Sequence, residues 1–208
     1  MRHIAKRPEP EVYRLWRVGA SDDWKPSWAA LQGSVKDTLK NALLDEQGFL
    51  CCYCERRIAS AGHDAGGCHI EHLEPRATAS HRALDYDNLL CSCTAAHGNH
   101  CGMRKDNRTI TIHPLQPDCT TAFRYRSDGS VEATSGDRRD AAESTLRILG
   151  LNDPGLKSRR RKAIEAFLQL TQDLPPSAIR SAAVSLSARD VDGRFVPFAT
   201  AVQAIVLP

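Results

Sequence analysis

Two separated cysteine pairs are the residues of this chain best suited to hold a metal ion. Cys51 and Cys54 form a Cys-x-x-Cys knuckle, which presents two thiolates with room for a metal at about 2.3 Å from each sulfur. Cys93 and Cys101 complete the four ligands that tetrahedral zinc prefers. Their wide spacing requires the chain between them to form a loop. We therefore predict a structural Zn²⁺ site on Cys51, Cys54, Cys93 and Cys101.

Some neighbouring residues leave the ligand set open. Cys91, His97 and His100 are rival ligands because they lie within or beside the same stretch. Cys68 and Cys119 have no partner at a useful spacing and are predicted to be core residues. No export signal precedes these cysteines, which favours a reducing compartment and metal ligation over disulfides.

An acidic and histidine-rich segment lies between the two cysteine pairs. It reads His69-Ile70-Glu71-His72. Phosphodiester hydrolysis needs a water molecule, a base that deprotonates it, and a cation that stabilises charge on the phosphate and leaving oxygen. A neutral imidazole with a pKa near ~6.5 suits the base, and a carboxylate suits Mg²⁺ or Mn²⁺. The segment therefore predicts a hydrolytic centre. The alternative is a zinc-stabilised module that binds nucleic acid or protein without catalysis.

The order Cys-x-x-Cys, Glu-His-x-x-Pro, Asn-Leu, Cys and Cys-x-x-x-Lys resembles the HNH, or ββα-metal, nuclease motif. More closely, these residues resemble the PtuB-type HNH nucleases of Septu and retron-linked anti-phage systems. The resemblance extends beyond the motif, into residues 28–47 upstream and 149–152 downstream.

The resemblance implies a role for each matching residue. His72 matches the general base, Glu71 a metal ligand, and Asn88 the asparagine that holds the loop and orients the base through backbone hydrogen bonds. Many relatives carry histidine or asparagine directly after the last cysteine, where this chain has Gly102. The second ligand of the catalytic cation is then His100 or His69. Contacts to the nucleic-acid backbone are expected from Lys105, Arg76 and Arg104.

The resemblance also implies cofactors and partners. It implies structural Zn²⁺ and catalytic Mg²⁺ or Mn²⁺, and a PtuA-like ATPase of the ABC/SMC type that gates the nuclease. Phage DNA is the default substrate, and RNA, including tRNA, is allowed. Retron-linked versions would add a reverse transcriptase and its msDNA.

The composition excludes several other classes. The 208 residues are 41% hydrophobic and 25% charged, and no apolar run approaches the ~18 residues of a membrane helix. The first eight residues lack the apolar region of a signal peptide, so we expect a bacterial cytoplasmic protein without membrane contact. A net charge of +3 is too small to predict nucleic-acid binding by itself, and suits a nuclease that a partner directs.

The hydrophobic pattern predicts an α+β fold, with a mainly helical scaffold around a ββα-metal core and its structural zinc site. We divide the chain into an N-terminal helical segment (1–48), the nuclease core (49–108) and a C-terminal segment (109–208) of small sheet and helices. The C-terminal segment is expected to pack on the core and to dock a partner.

Five local patterns make narrower predictions. Ser27 is expected to cap a long helix that ends near Gln47. Residues 87–92 could start another helix, although Asn88 could instead make a loop contact. Residues 109–113 alternate like a strand, and residues 122–126 and 131–134 like an antiparallel pair. The four cations of residues 159–162 fit phosphate binding, a solvated helix face or a docking face about equally.

Overall fold

The computed structural model describes residues 1–59, 67–94 and 98–207. Helices and two small antiparallel sheets alternate along these residues, so the mixed α and β composition predicted from the sequence is confirmed. The described strands are β1 (Cys68–His72), β2 (Leu89–Cys93), β3 (Phe123–Tyr125) and β4 (Val131–Ala133). The described helices are α1 (Glu11–Val18), α2 (Gly33–Glu46), α3 (Cys101–Lys105), α4 (Arg139–Leu149), α5 (Pro154–Thr171), α6 (Pro176–Ser185) and α7 (Ala199–Val206).

A two-stranded sheet followed by a short helix lies at the centre of the molecule. Strand β1 pairs antiparallel with β2, with Cys68 opposite Cys93 and His72 opposite Leu89. An isolated two-stranded sheet is marginally stable in water. Here α2 and α3 both pack on β2, and all five residues of β2 are buried. The surrounding helices thus stabilise the unit that carries the predicted site.

Three local predictions were wrong. Ser27 Oγ accepts a hydrogen bond from the amide of Ala30 (3.2 Å) in a tight turn, and α2 begins only at Gly33, whose φ is +58°. Residues 87–92 do not start a helix, because a 3₁₀ turn at residues 86–88 leads directly into β2. Residues 109–113 form no strand. The amide of Ile112 instead donates to Thr145 Oγ1 (3.3 Å), which attaches this loop to α4.

The C-terminal part contains the strand pair that its alternating pattern predicts. Strands β3 and β4 form the predicted antiparallel pair, with Phe123 opposite Ala133. Helix α4 packs on β4, and α5 and α6 both pack on α7. One hydrophobic cluster contains residues from all three predicted segments, including Leu43, Leu90 and Leu149. The three segment boundaries themselves stay predictions. No described helix is both long and apolar enough to cross a membrane.

The basic cluster of residues 159–162 divides between the surface and the interior. Arg159 and Arg161 are exposed, whereas Arg160 is only 3% exposed. The guanidinium of Arg160 donates to the carbonyl oxygens of Gly129 (2.5 Å) and Leu151. Arg160 therefore joins α5 to the turn after β3 and to the end of α4, and phosphate binding is not its role.

Replacing Arg160 by methionine should lower the free energy of unfolding by about 1.5–3 kcal/mol, because hydrogen bonds from a charged donor to two buried carbonyls are lost. The neighbouring exposed variant, Arg159→Met, should change it by less than about 0.5 kcal/mol. Urea denaturation followed by circular dichroism measures both values. Equal stabilities of the two variants would contradict the structural role of Arg160.

Candidate metal and catalytic site

Four buried cysteines meet where the knuckle, the end of β2 and the start of α3 converge. Their Sγ atoms all lie within 4.8 Å of one another, and the Sγ atoms of Cys54 and Cys93 are 4.0 Å apart. A tetrahedral zinc ion bound at about 2.3 Å needs sulfurs roughly 3.8 Å apart. The arrangement fits this requirement, so the four cysteines could bind a metal such as zinc. They are Cys51, Cys54, Cys93 and Cys101.

The ionisation of these thiols also favours a cation. Burial acts to raise the pKa of Cys51, but hydrogen bonds from the surrounding thiols outweigh it and lower that pKa well below its usual value. Burial and the neighbouring thiols raise the pKa of Cys101 well above its usual value. One thiolate is thus favoured at the expense of its neighbours. Four thiolates need a metal ion to balance their charge.

His100 lies beside the four-thiol site. Its Nδ1 atom is 3.2 Å from Cys101 Sγ and 3.6 Å from Cys93 Sγ, and the residue is only 1% exposed. Its predicted role as a ligand of the catalytic cation does not match these contacts, because the histidine in contact with Glu71 is His69. The rival ligand His97 lies outside the described residues.

A second pair of thiols lies next to the cluster. The Sγ atom of Cys91 donates to the carbonyl oxygen of Lys40 (3.8 Å), and the neighbouring thiol of Cys68, together with burial, raises the pKa of Cys91 well above its usual value. Cys91 is thus outside the four-thiol site. Cys68 is buried in the hydrophobic core, as predicted. Cys119 is fully buried, as expected of a core residue.

A carboxylate and an imidazole lie side by side on one face of β1. Side chains alternate along a strand, which places His69 and Glu71 together, and His69 Nε2 is 3.1 Å from Glu71 Oε2. Burial acts to raise the pKa of Glu71, but the hydrogen bond with His69 and the charge of Lys105 outweigh it, so the pKa is lowered. The Glu71 side chain is therefore an anion at neutral pH.

Gly102 leaves open the space in front of this pair. A Cβ atom at this position would lie 2.4 Å from Glu71 Oε2 and 2.7 Å from His69 Nε2. Both distances are shorter than van der Waals contact, so even alanine would force the pair to move. An oxygen and an imidazole nitrogen are suitable ligands for a divalent cation. The donor atoms and the missing side chain together fit such an ion.

Two buried donors hold the other oxygen of Glu71. Tyr53 Oη donates to Glu71 Oε1 (3.1 Å), and Lys105 Nζ lies 3.0 Å from the same atom. Lys105 also donates to the carbonyl oxygen of His72 (2.9 Å) and is only 1% exposed. Lys105 was expected to contact the nucleic-acid backbone. Its ammonium group is instead enclosed and paired with Glu71.

His72 is held in one tautomer. Its Nε2 atom is 3.0 Å from the carbonyl oxygen of Ala83, and a carbonyl can only accept, so Nε2 carries the proton and Nδ1 keeps its lone pair. The ring packs edge-on against Trp28, with 4.3 Å between ring centroids. Burial lowers the pKa of His72 below its usual value. The imidazole is thus neutral at physiological pH, as a base must be.

Asn88 fixes the segment between β1 and β2. Its side chain accepts from the amide of Glu74 (2.8 Å) and donates to the carbonyl oxygens of Glu74 (3.1 Å) and Arg82 (3.2 Å). Its own carbonyl accepts from the amide of Leu73 (2.9 Å). These contacts tie Asn88 to the end of β1 and to Arg82, the residue directly before Ala83, which is the partner of His72.

The two remaining predicted contact residues differ in exposure and in their partners. Arg76 is exposed, and its guanidinium lies 5.5 Å from the centre of the Trp28 ring. Arg104 is half-buried, donates to the carbonyl oxygen of Arg147 (3.2 Å), and borders a cavity of about 670 Å³. Both stay predictions as contacts to nucleic acid.

Sequence reasoning missed two contributors to the site. Trp28 falls within the helix that Ser27 was expected to cap, but it lies in a turn and packs on His72. Tyr53 was treated only as part of the knuckle. The sequence signal for Tyr53 was its place between two metal-ligand cysteines, but its contact with Glu71 depends on tertiary structure.

Comparison with known proteins adds one relative. A candidate HNH endonuclease of retron Vc95, from Vibrio cholerae serotype O1 biovar El Tor, is 27% identical to this chain over 144 residues. The match covers 65% of this chain and 68% of the relative. No family model matches the chain. The similarity supports an HNH endonuclease family and hence a nuclease, and the retron is the context of the relative.

Proposed function

We propose that this protein is a metal-dependent HNH endonuclease that hydrolyses phosphodiester bonds of nucleic acid. The observation that carries the proposal is the Glu71–His69 pair, which faces a space kept open by Gly102. It lies on a unit of two strands and a helix, the order expected of a ββα-metal core. Similarity to the retron-associated relative supports the same reaction class.

The residues divide the chemistry between them. Glu71 and His69 would hold the divalent cation, Mg²⁺ or Mn²⁺, which when bound stabilises negative charge on the phosphate and the leaving oxygen. Nδ1 of His72 accepts a proton from the attacking water. The hydrogen bond from Nε2 to the carbonyl of Ala83 then stabilises the imidazolium that forms. Asn88 helps to keep this carbonyl in place through its contacts with Arg82, the residue directly before Ala83, and with Glu74.

The four-thiol site would hold structural zinc. It joins the knuckle to β2 and α3, and these elements surround the Glu71–His69 pair. Zinc bound there would stabilise the unit in its folded form.

The substrate and partners rest on the family resemblance. We place the chain in the bacterial cytoplasm as the nuclease subunit of a PtuB-type anti-phage complex with an ABC/SMC-type ATPase. Phage DNA is the first substrate to test, followed by tRNA. A net charge of +3 supports a partner-directed enzyme, because it gives weak attraction for nucleic acid. In a retron context, a reverse transcriptase and its msDNA would join the complex.

The test is a cleavage assay with the ATPase present, using plasmid DNA and tRNA in Mg²⁺ or Mn²⁺. We expect at least one nucleic acid to be cut, and cutting to stop when EDTA removes the cation. A binding module without catalysis is the second candidate. It is favoured by the ion pair of Lys105 with Glu71, which a purely structural network would also contain. Retention of nucleic acid without cleavage in either cation would support that candidate.

A further inference from the structure

The knuckle that supplies two of the four thiols also contacts the Glu71 carboxylate. Tyr53 lies between Cys52 and Cys54 in the chain, and its side chain is fully buried. Its hydroxyl donates to Glu71 Oε1 at 3.1 Å. The position of the knuckle therefore sets the position of one donor to Glu71.

The helix that supplies the fourth thiol contacts the same carboxylate from the other side. Cys101 is followed directly by Gly102, which borders Glu71 Oε2 and His69 Nε2. The amide of Gly102 donates to Ser92 Oγ (3.0 Å), and this oxygen lies 3.7 Å from Cys51 Sγ. One helical turn after Cys101, Lys105 pairs with Glu71 Oε1.

We infer that the four-thiol site positions Glu71 for the second cation, with Tyr53 and Ser92 as positioning residues. Two donors on Oε1 leave Oε2 directed at His69 and the open space beside Gly102. Both donors belong to elements that a metal in the four-thiol site would hold together. Loss of that metal should therefore weaken binding of the catalytic cation as well as the fold. The inference rests on the proposed function, since it concerns the affinity of the proposed catalytic site.

A structural role alone makes a different prediction for Tyr53. A hydroxyl that only stabilises the fold would change the free energy of unfolding and leave cation affinity unchanged. Tyr86 provides a matched comparison, because it is also buried and its hydroxyl donates to another buried carboxylate, Glu46 Oε2 (3.3 Å). Tyr86→Phe thus removes an equivalent tyrosine–glutamate hydrogen bond away from the Glu71–His69 pair.

The experiment is calorimetric titration of Mn²⁺ into zinc-loaded full-length protein, with the zinc content of each sample measured by mass spectrometry. Tyr53→Phe should keep its zinc and bind Mn²⁺ on the order of tenfold more weakly than the wild type. Tyr86→Phe should bind within about twofold of the wild type. Ser92→Ala should keep its zinc and weaken Mn²⁺ binding by at least about threefold, and it decides the question if Tyr53→Phe does not fold.

The possible outcomes distinguish failure of the inference from failure of the proposed function. Wild-type Mn²⁺ affinity in both Tyr53→Phe and Ser92→Ala, or in Ser92→Ala alone when Tyr53→Phe is unfolded, would overturn the inference and leave the proposed nuclease intact. An equal loss of affinity in Tyr86→Phe would also overturn it, because the effect would then be one of general stability. A wild-type protein that binds zinc but no Mn²⁺ or Mg²⁺ would overturn the proposed function and the inference with it.

Discussion

Replacing His72 by alanine is expected to lower the rate of nucleic-acid cleavage by about 100- to 10,000-fold, the usual contribution of a general base. The reason is that the side chain is neutral, held in one tautomer by the carbonyl of Ala83, and fixed in orientation by Trp28. No residue of the part of the chain described here hydrogen-bonds its Nδ1 atom. The measurement is a single-turnover cleavage rate at saturating Mn²⁺.

The control for this variant is His81→Ala. His81 lies in the same segment between β1 and β2 but is exposed to solvent, so its removal should leave the cleavage rate unchanged. Zinc content and circular dichroism show whether His72→Ala remains folded. A folded His72→Ala protein that cleaves at the wild-type rate would refute the assignment of His72 as the base.

Replacing Cys54 by serine is expected to remove the bound zinc and to lower the free energy of unfolding by at least about 4 kcal/mol. Loss of one thiolate leaves a tetrahedral site incomplete, and the other three cysteines stay buried with unbalanced charge or as protonated thiols. The same variant should also lose cleavage, because the knuckle carries Tyr53. Zinc analysis and urea denaturation measure the two principal effects.

Cys119→Ser is the control for Cys54→Ser. It distinguishes the loss of stability caused by losing the metal from the general cost of placing a hydroxyl in the core. Cys119 is as deeply buried as the four-thiol cluster but lies outside it. The Cys119→Ser protein should keep its zinc, and its free energy of unfolding should fall by about 1–3 kcal/mol at most. Unchanged zinc content in a folded Cys54→Ser protein would contradict the four-thiol site.

The sequence was informative where chemistry depends on spacing along the chain. The Cys-x-x-Cys knuckle and the later pair, Cys93 and Cys101, were chosen because zinc prefers four thiolates, and the structure brings their sulfurs together. The hairpin of β3 and β4 was predicted from strict alternation around a turn. In both cases a few residue types at characteristic spacings form the structure, so the feature can be recognised in the sequence.

The sequence was uninformative where partners come from distant elements. Lys105 has the position of a surface cation at the end of a helix, yet the buried charge of Glu71 draws it inward. Arg160 cannot be distinguished by type from Arg159, and only the packing of α5 places it inside.

The choice of the second ligand of the catalytic cation depends on tertiary structure in the same way. His69 and His100 were equally reasonable ligands by residue type. Alternation along β1 places His69 beside Glu71, whereas the start of α3 places His100 beside the thiols. The choice between them required the relative position of a strand and a helix, which no spacing along the chain specifies.

The most direct test of the central claim is the rate of cleavage by Glu71→Gln as a function of Mn²⁺ concentration. Glutamine keeps the size of the side chain and can still contact Tyr53, but it lacks the negative charge that would bind the cation. If Glu71 and His69 hold the catalytic metal, cleavage should fall by at least about 100-fold at the Mn²⁺ concentration that saturates the wild type, with zinc content unchanged. Wild-type cleavage by the zinc-loaded variant, with the same dependence on Mn²⁺, would contradict the claim.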